Sequence, residues 1–299
     1  MKSQFERVVT FANGKGGAGK TSCAVNVAGL SAAAGWKTLL LDLDPQGNAG
    51  HDLGYAWDGQ TDHGQGLVDA LVAGRQLEPN LQEIRPHLDV VSGGEALDDL
   101  EDVLSGRAKR ARATGTVLAQ ALAPIATAYD LIVIDTPPTR PTLLQLALGA
   151  TRWIIVPTKA DRSSIEGLRN LATQIHAARA VNPELAILGA VLFDTGTTAT
   201  VVRRHAVEDI RAVLDGAAPI FEAVIRHSES AAVDAREKGM LVHELAETVN
   251  NAEPYWKALQ QGRTPTRIPG SAPALAEDYV LLTQEVLTRI AQHEEEATA

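Results

Sequence analysis

The chain of 299 residues is 45% hydrophobic, enough to build one large α/β domain with or without small additions. A single cysteine, Cys23, excludes a disulfide framework and any cysteine cluster for zinc or iron–sulfur built within the chain. With 27 basic against 37 acidic residues the net charge is −10, which argues against a general polyanion binder, so any contact with nucleic acid has to come from local clusters of Lys and Arg.

Strand and helix signals alternate along the chain and predict an α/β fold, a mostly parallel twisted sheet with helices on both faces. The first element is an apolar strand, Val8 to Ala12, followed by Asn13-Gly14-Lys15-Gly16-Gly17-Ala18-Gly19-Lys20-Thr21 and then a helix from Ser22 to Leu30. A buried strand from Lys37 ends in the carboxylates Asp42 and Asp44. Residues 50–66, rich in Gly and Asp, read as a loop, followed by a short helix from Gly66 to Ala73 and a strand from Leu88 to Val91. Across 95–123 an acidic run (Asp98, Asp99, Glu101, Asp102) precedes a basic one (Arg107, Lys109, Arg110, Arg112), which reads as one or two solvated surface helices.

The strand Tyr129 to Asp135 closes on an aspartate before Thr136-Pro137-Pro138. Strands at Trp153–Pro157, Ala186–Phe193 and Ile220–Ile225 alternate with helices at Ser164–Ala180 and Thr200–Leu214. Residues 250–273, with four prolines, read as an irregular excursion beyond a first unit of 1–249. A closing helix within 274–299 carries Leu275, Tyr279, Leu282, Val286 and Ile290 on one face, as expected of a helix packed on the same domain, and ends in an acidic tail. No apolar stretch reaches 18 residues and no signal peptide is legible, so a soluble cytoplasmic protein is expected.

Three strand ends carry the chemistry. Residues 14–21 fit the phosphate-loop pattern G-x-x-x-x-G-K-[ST] in its strand–loop–helix setting. The glycines at 14, 16, 17 and 19 let successive N–H groups turn inward toward phosphate oxygens, and the following helix adds its free N–H groups and positive dipole end. Lys20 is expected to reach the β- and γ-phosphates and Thr21 to ligate Mg²⁺. Asp135, ending an apolar strand, has the Walker B arrangement for holding Mg²⁺. Asp42 and Asp44 share one face of their strand. Asp42 reads as a helper at the metal and Asp44 as a candidate for orienting the attacking water, though spacing alone does not divide the two roles. The extra loop lysine, Lys15, is left without a role by this logic.

The segment Lys15-Gly16-Gly17-Ala18-Gly19-Lys20-Thr21 resembles the deviant Walker A motif of the ParA/MinD family of partition and positioning ATPases. Leu41-Asp42-Leu43-Asp44-Pro45-Gln46-Gly47-Asn48 resembles that family's second motif in its ParA form, and Asp130 to Pro138 its Walker B. The similarity spans about residues 7–245 and continues through Glu166-Gly167-Leu168 to Asp234-Ala235-Arg236-Glu237-Lys238-Gly239. The resemblance implies a P-loop ATPase that uses ATP and Mg²⁺. Lys15 would reach across a dimer interface to the partner's ATP phosphates, and Asp44 would be needed for hydrolysis. ATP would close a sandwich dimer that binds DNA without sequence preference, on the nucleoid, until a ParB-like partner stimulates hydrolysis and releases it. Gly14 to Ser22, with Asn48, Arg226 and Ser228, are the expected nucleotide contacts.

The sequence also departs from the family pattern. Asp194-Thr195-Gly196 lacks the arginine of the usual Asp-x-Arg, and Ile225-Arg226-His227-Ser228 replaces Ile-Pro-Arg-Asn, so base recognition is expected to differ in detail. With twelve residues before Asn13, no operator-specific domain is expected there. Arg203, Arg204 and Arg211 on one helix, with Arg226 and Arg236 on neighbouring segments, are the candidate DNA contacts. A MinD-like membrane role is disfavoured, because the last helix carries Glu277, Asp278 and Glu285 against Arg289. A nitrogenase-iron-protein-like reductase needs two cysteines per subunit and is excluded. A ParA or MinD relative that positions a protein cargo or membrane complex is the alternative function.

Overall fold

The central strands are near-continuous apolar runs, buried throughout, whose successive side chains point to opposite faces and so call for helices on both. The computed structural model describes residues 4–108, 114–196, 200–214, 219–250, 257, 260 and 270–297. Eight strands form one sheet in the order β3-β4-β2-β5-β1-β6-β7-β8. They are β1 (Val8–Phe11), β2 (Thr38–Asp42), β3 (Leu81–Arg85), β4 (Leu88–Val91), β5 (Leu131–Asp135), β6 (Trp153–Thr158), β7 (Ala186–Thr195) and β8 (Ile220–Arg226). All neighbours are parallel except β3 against β4.

Val9, Phe11, Leu40, Leu131 and Val133 face one core, which α1 (Lys20–Ala33), α10 (Val242–Asn250) and α11 (Ala272–Glu296) cover. Val8, Leu39, Leu41, Ile132 and Ile134 face the other side, under α3 (Gln65–Ala73), α4 (Ala96–Ala108), α5 (Val117–Ala126) and α6 (Pro141–Gly149). On that same side α7 (Arg162–Ala178) and α8 (Thr200–Val213) cover Ile154, Val156 and Ala190. Two further helices, α2 (Asn48–Leu53) and α9 (Glu229–Lys238), stand on the first face. The mostly parallel sheet with helices on both faces is the expected fold class. From the central β1 the chain first moves toward β2 and later toward β6, so the loop after β1 stands where the sheet's winding reverses.

Several local expectations are corrected. The segment 81–85 is a strand with no sequence signal, because it lies on the sheet edge and buries only Leu81. Residues 48–53, taken into a loop from 50 onward, form a helix too short for periodicity, closed at both ends by left-handed Gly47 and Gly54. The helices over 95–123 are not merely solvated: Leu97, Leu100, Leu104, Leu118 and Leu122 are buried. The helices α6, α9 and α10 are additional to the expected elements. The basic residues Lys109, Arg110 and Arg112, and most of 250–273, lie outside the described residues. The helix α11 buries Leu275, Tyr279, Leu282, Val286 and Ile290. Among the described residues no helix is long and apolar enough to cross a membrane.

Candidate functional site

The loop from Asn13 to Thr21 emerges at the carboxyl end of β1, between the ends of β5 and β6. Asn13 anchors it: its Nδ2 donates to the Pro157 carbonyl at 2.7 Å, and its Oδ1 accepts from the Lys15 amide at 3.0 Å. Gly14 lies against the backbone of α7, where a Cβ would sit 2.8 Å from the Gly167 carbonyl oxygen. Gly17 and Gly19 adopt left-handed φ values of 71° and 91°, a conformation that only glycine takes without strain. A Cβ on Gly19 would also overlap the Phe193 ring at the end of β7. Gly19 is the N-cap of α1, so the helix begins at Lys20 with its first N–H groups aimed into the loop.

Lys20 is folded beneath this loop, 6% exposed, and its Nζ donates to the Lys15 carbonyl at 3.1 Å. Burial pushes its ammonium below the ordinary lysine range, while Asp135 and Asp44 pull it back up. Lys15 points elsewhere. Its Nζ lies 2.8 and 2.9 Å from the two carboxylate oxygens of Asp161, the N-cap of α7.

The carboxylates come together through strand register. Asp42 and Asp135 are direct neighbours at the ends of β2 and β5, and Phe11 pairs with Asp135 on the other side. Both aspartates are fully buried. Each uses one oxygen locally: Asp42 Oδ1 accepts from the Asp44 amide at 2.8 Å and Asp135 Oδ1 from the Thr136 amide at 2.9 Å. The other oxygen of each, Oδ2, is buried without a hydrogen-bond partner among the described residues. Burial, and then the charge of Asp135, raises the Asp42 carboxyl well above the carboxylate range. Burial also raises Asp135; Thr21 and Lys20 oppose this, and Asp44 adds to it. Two adjacent, buried, half-satisfied carboxylates are what a divalent cation relieves, and with Thr21 they fit Mg²⁺. Among the described residues no group of three or more His, Cys, Asp or Glu could hold a metal, so an ion here would depend on phosphate oxygens for further ligands.

Asp44 is buried, and its Oδ1 accepts from the Gln46 amide at 2.9 Å, which tightens the turn leading to α2. Ser22 lines a hollow of about 200 Å³ with Asn26, Val233, Arg236, Met240 and Tyr279.

Other expected residues are placed differently. Arg226 does not join the loop: its guanidinium forks onto Asp278 of α11 at 2.6 and 2.7 Å, in a cleft it shares with Arg203, Glu222 and Glu285. Ser228 donates to Ser271 at 2.9 Å. Asn48 accepts from Arg236, which also faces Asp52 of α2. Of the arginines expected to meet DNA, Arg204 and Arg211 are exposed on α8, whereas Arg226 and Arg236 are held by acidic partners. Sequence reasoning missed Asp161, although Asp-x-Ser-Ser before a helix is an N-cap signal. It also missed the Lys159–Asp194–His227 cluster, in which Asp194 Oδ2 accepts from Lys159 at 2.5 Å and Oδ1 contacts His227.

The family model described as an AAA domain matches residues 6–187. The chain is 34% identical over 224 residues to the chromosome partitioning protein ParA of Myxococcus xanthus, covering 73% of this chain and 75% of that protein. It is 35% identical over 184 residues to the chromosome-partitioning ATPase Soj of Thermus thermophilus, covering 61% of this chain and 67% of that one. Among solved structures, the McdA–ATP complex of Cyanothece superposes with a TM-score of 0.74 at 19% identity, over 96% of this chain and 98% of that one. With its phosphate loop, paired strand-end aspartates and mostly parallel sheet, the chain belongs to the ParA family of partitioning ATPases.

Proposed function

We propose that this chain is an ATP-driven switch for partitioning DNA. Two copies close on two ATP molecules, the dimer holds DNA without sequence preference on the nucleoid, and a ParB-like partner stimulates hydrolysis and frees it. The observation that carries this reading is the pair of loop lysines with opposite placements: Lys20 under the loop, Lys15 directed outward to Asp161. One lysine serves the protomer's own nucleotide; the other remains for a second copy.

In this reading Gly14 to Thr21 and Ser22 cradle the phosphates, and Lys20 neutralises charge on the β- and γ-phosphates. Thr21, Asp42 and Asp135 would hold Mg²⁺, which would offset the charge of the phosphates. Asp44 orients the attacking water. The hollow beside Ser22 lodges the nucleoside in place of Arg226 and Ser228, whose partners lie on other elements. Slow basal turnover suits such a switch, since the ATP state has to outlast transport.

Light scattering after size exclusion tests the assembly. The protein is expected to dimerise with ATP and stay monomeric with ADP, and Lys15→Gln to remain monomeric with ATP bound. Normal dimerisation and turnover of Lys15→Gln would take the cross-interface role away from Lys15.

DNA retention is the second test. Arg203→Glu with Arg204→Glu, both on α8, is expected to abolish binding to a random duplex in 50 mM salt. Wild-type binding should weaken steeply between about 50 and 200 mM salt, as counterion release requires. Unchanged retention by the double variant would move the DNA surface off α8.

A further inference from the structure

The phosphate loop contains two ammonium groups five residues apart, yet the fold gives them different partners. The Lys15 backbone is immobilised through Asn13, whose Nδ2 and Oδ1 bridge Pro157 and the Lys15 amide. The first turns of α7 press directly on this stretch, since a Cβ on Gly167 would sit 2.6 Å from Asn13 Oδ1 and 3.2 Å from Lys15 Cβ. Asp161 is equally fixed. Besides Lys15 it accepts from the Ser164 amide at 2.9 Å, Ser164 Oγ at 3.1 Å and Ser163 Oγ at 2.6 Å. Burial alone would raise this carboxyl, but Lys15, Ser163 and Ser164 hold it below the ordinary carboxylate range. Ser163 and Ser164 therefore keep the acceptor oriented independently of Lys15.

The side chains of Lys15 and Asp161 remain 29% and 40% exposed, so the pair is a light hold that a phosphate can outcompete. Lys20, buried under the loop, already supplies the ammonium for the protomer's own nucleotide. A second ammonium falling onto the same phosphates would tighten nucleotide binding within one copy and use up the group meant for another. We infer that Asp161 is a positioning residue: it holds the Lys15 ammonium out of its own phosphate loop, keeping it for phosphates presented by a second copy of the chain. This rests on the reading of Lys15 given above.

Asp161→Asn isolates the effect, because asparagine caps a helix as well as aspartate and retains an acceptor for the Ser164 amide. Binding of ADP, which on the proposed reading does not drive dimerisation, is measured calorimetrically on the full chain. Asp161→Asn is expected to bind ADP roughly two- to fivefold more tightly, as a freed surface ion-pair partner allows. Lys15→Gln combined with Asp161→Asn is expected to return to wild-type affinity, and Asp161→Asn alone to need more protein for half-dimerisation in ATP. Unchanged ADP affinity in Asp161→Asn, or tightening that survives Lys15→Gln, would overturn the assignment. Should Lys15→Gln itself dimerise like the wild type, the cross-interface reading fails, while the ADP comparison still reports whether Asp161 restrains Lys15.

Discussion

Lys20→Ala is expected to lower ATP affinity by roughly a hundredfold or more, the largest effect of any single change in the loop. A buried ammonium that donates to ionised oxygens contributes about 1.5–3 kcal/mol per hydrogen bond, and each 1.4 kcal/mol is about tenfold in affinity. Among the described residues the Lys15 carbonyl is the hydrogen-bond partner of this ammonium, and burial disfavours its charge. On the proposed reading Lys20 is therefore expected to contribute more to ligand binding than to the stability of the fold. Two measurements separate these roles. Titration with Mg·ATP should show the loss of affinity, whereas thermal unfolding without nucleotide should be nearly unchanged. Nucleotide at about 100 times its Kd stabilises a protein by about 2.7 kcal/mol, and that shift should vanish in Lys20→Ala. ATP binding within threefold of wild type would remove Lys20 from the phosphates.

What could be read from sequence was local, and what escaped depends on distant pairing. The strand, loop and helix around Asn13–Thr21 were legible because turn, glycines and lysine are contiguous. Asp42 and Asp135 each ended an apolar strand visibly. Their adjacency comes from β2 pairing with β5 across 93 residues, a register no local pattern reveals. The same holds for Lys15 and Asp161, 146 residues apart. Arg226, on the edge strand β8, turns to Asp278 of α11, 52 residues away, another partner that no local pattern reveals. The charges of 95–112 hid a helical apolar spacing in Leu97, Leu100 and Leu104. By contrast β3 and α2 are short and half-exposed, with too few buried positions to leave a period.

Asp44→Asn is expected to retain ATP binding and dimerisation while slowing hydrolysis by roughly 10²–10⁴, the range that a positioned acid or base contributes. Asparagine is the informative substitution. Asp44 Oδ1 accepts the Gln46 amide and its own amide donates to Asp42, so the carboxylate shapes the turn as well as facing the site. Asparagine retains that acceptor and the side-chain volume and removes only the charge. Alanine would also orphan the Gln46 amide, at a cost of about 1 kcal/mol or more that would blur the kinetic result. Loss of the Asp44 charge also lowers the repulsion that raises Asp42 and Asp135, so the metal pair should ionise more readily and Mg²⁺ affinity should not fall. The variant should therefore accumulate as a long-lived ATP dimer at wild-type Mg²⁺ concentrations. Hydrolysis at the wild-type rate would move the water-orienting role to another residue. Loss of both Mg²⁺ and ATP binding would instead make Asp44 part of the metal's support, with Asp42 and Asp135.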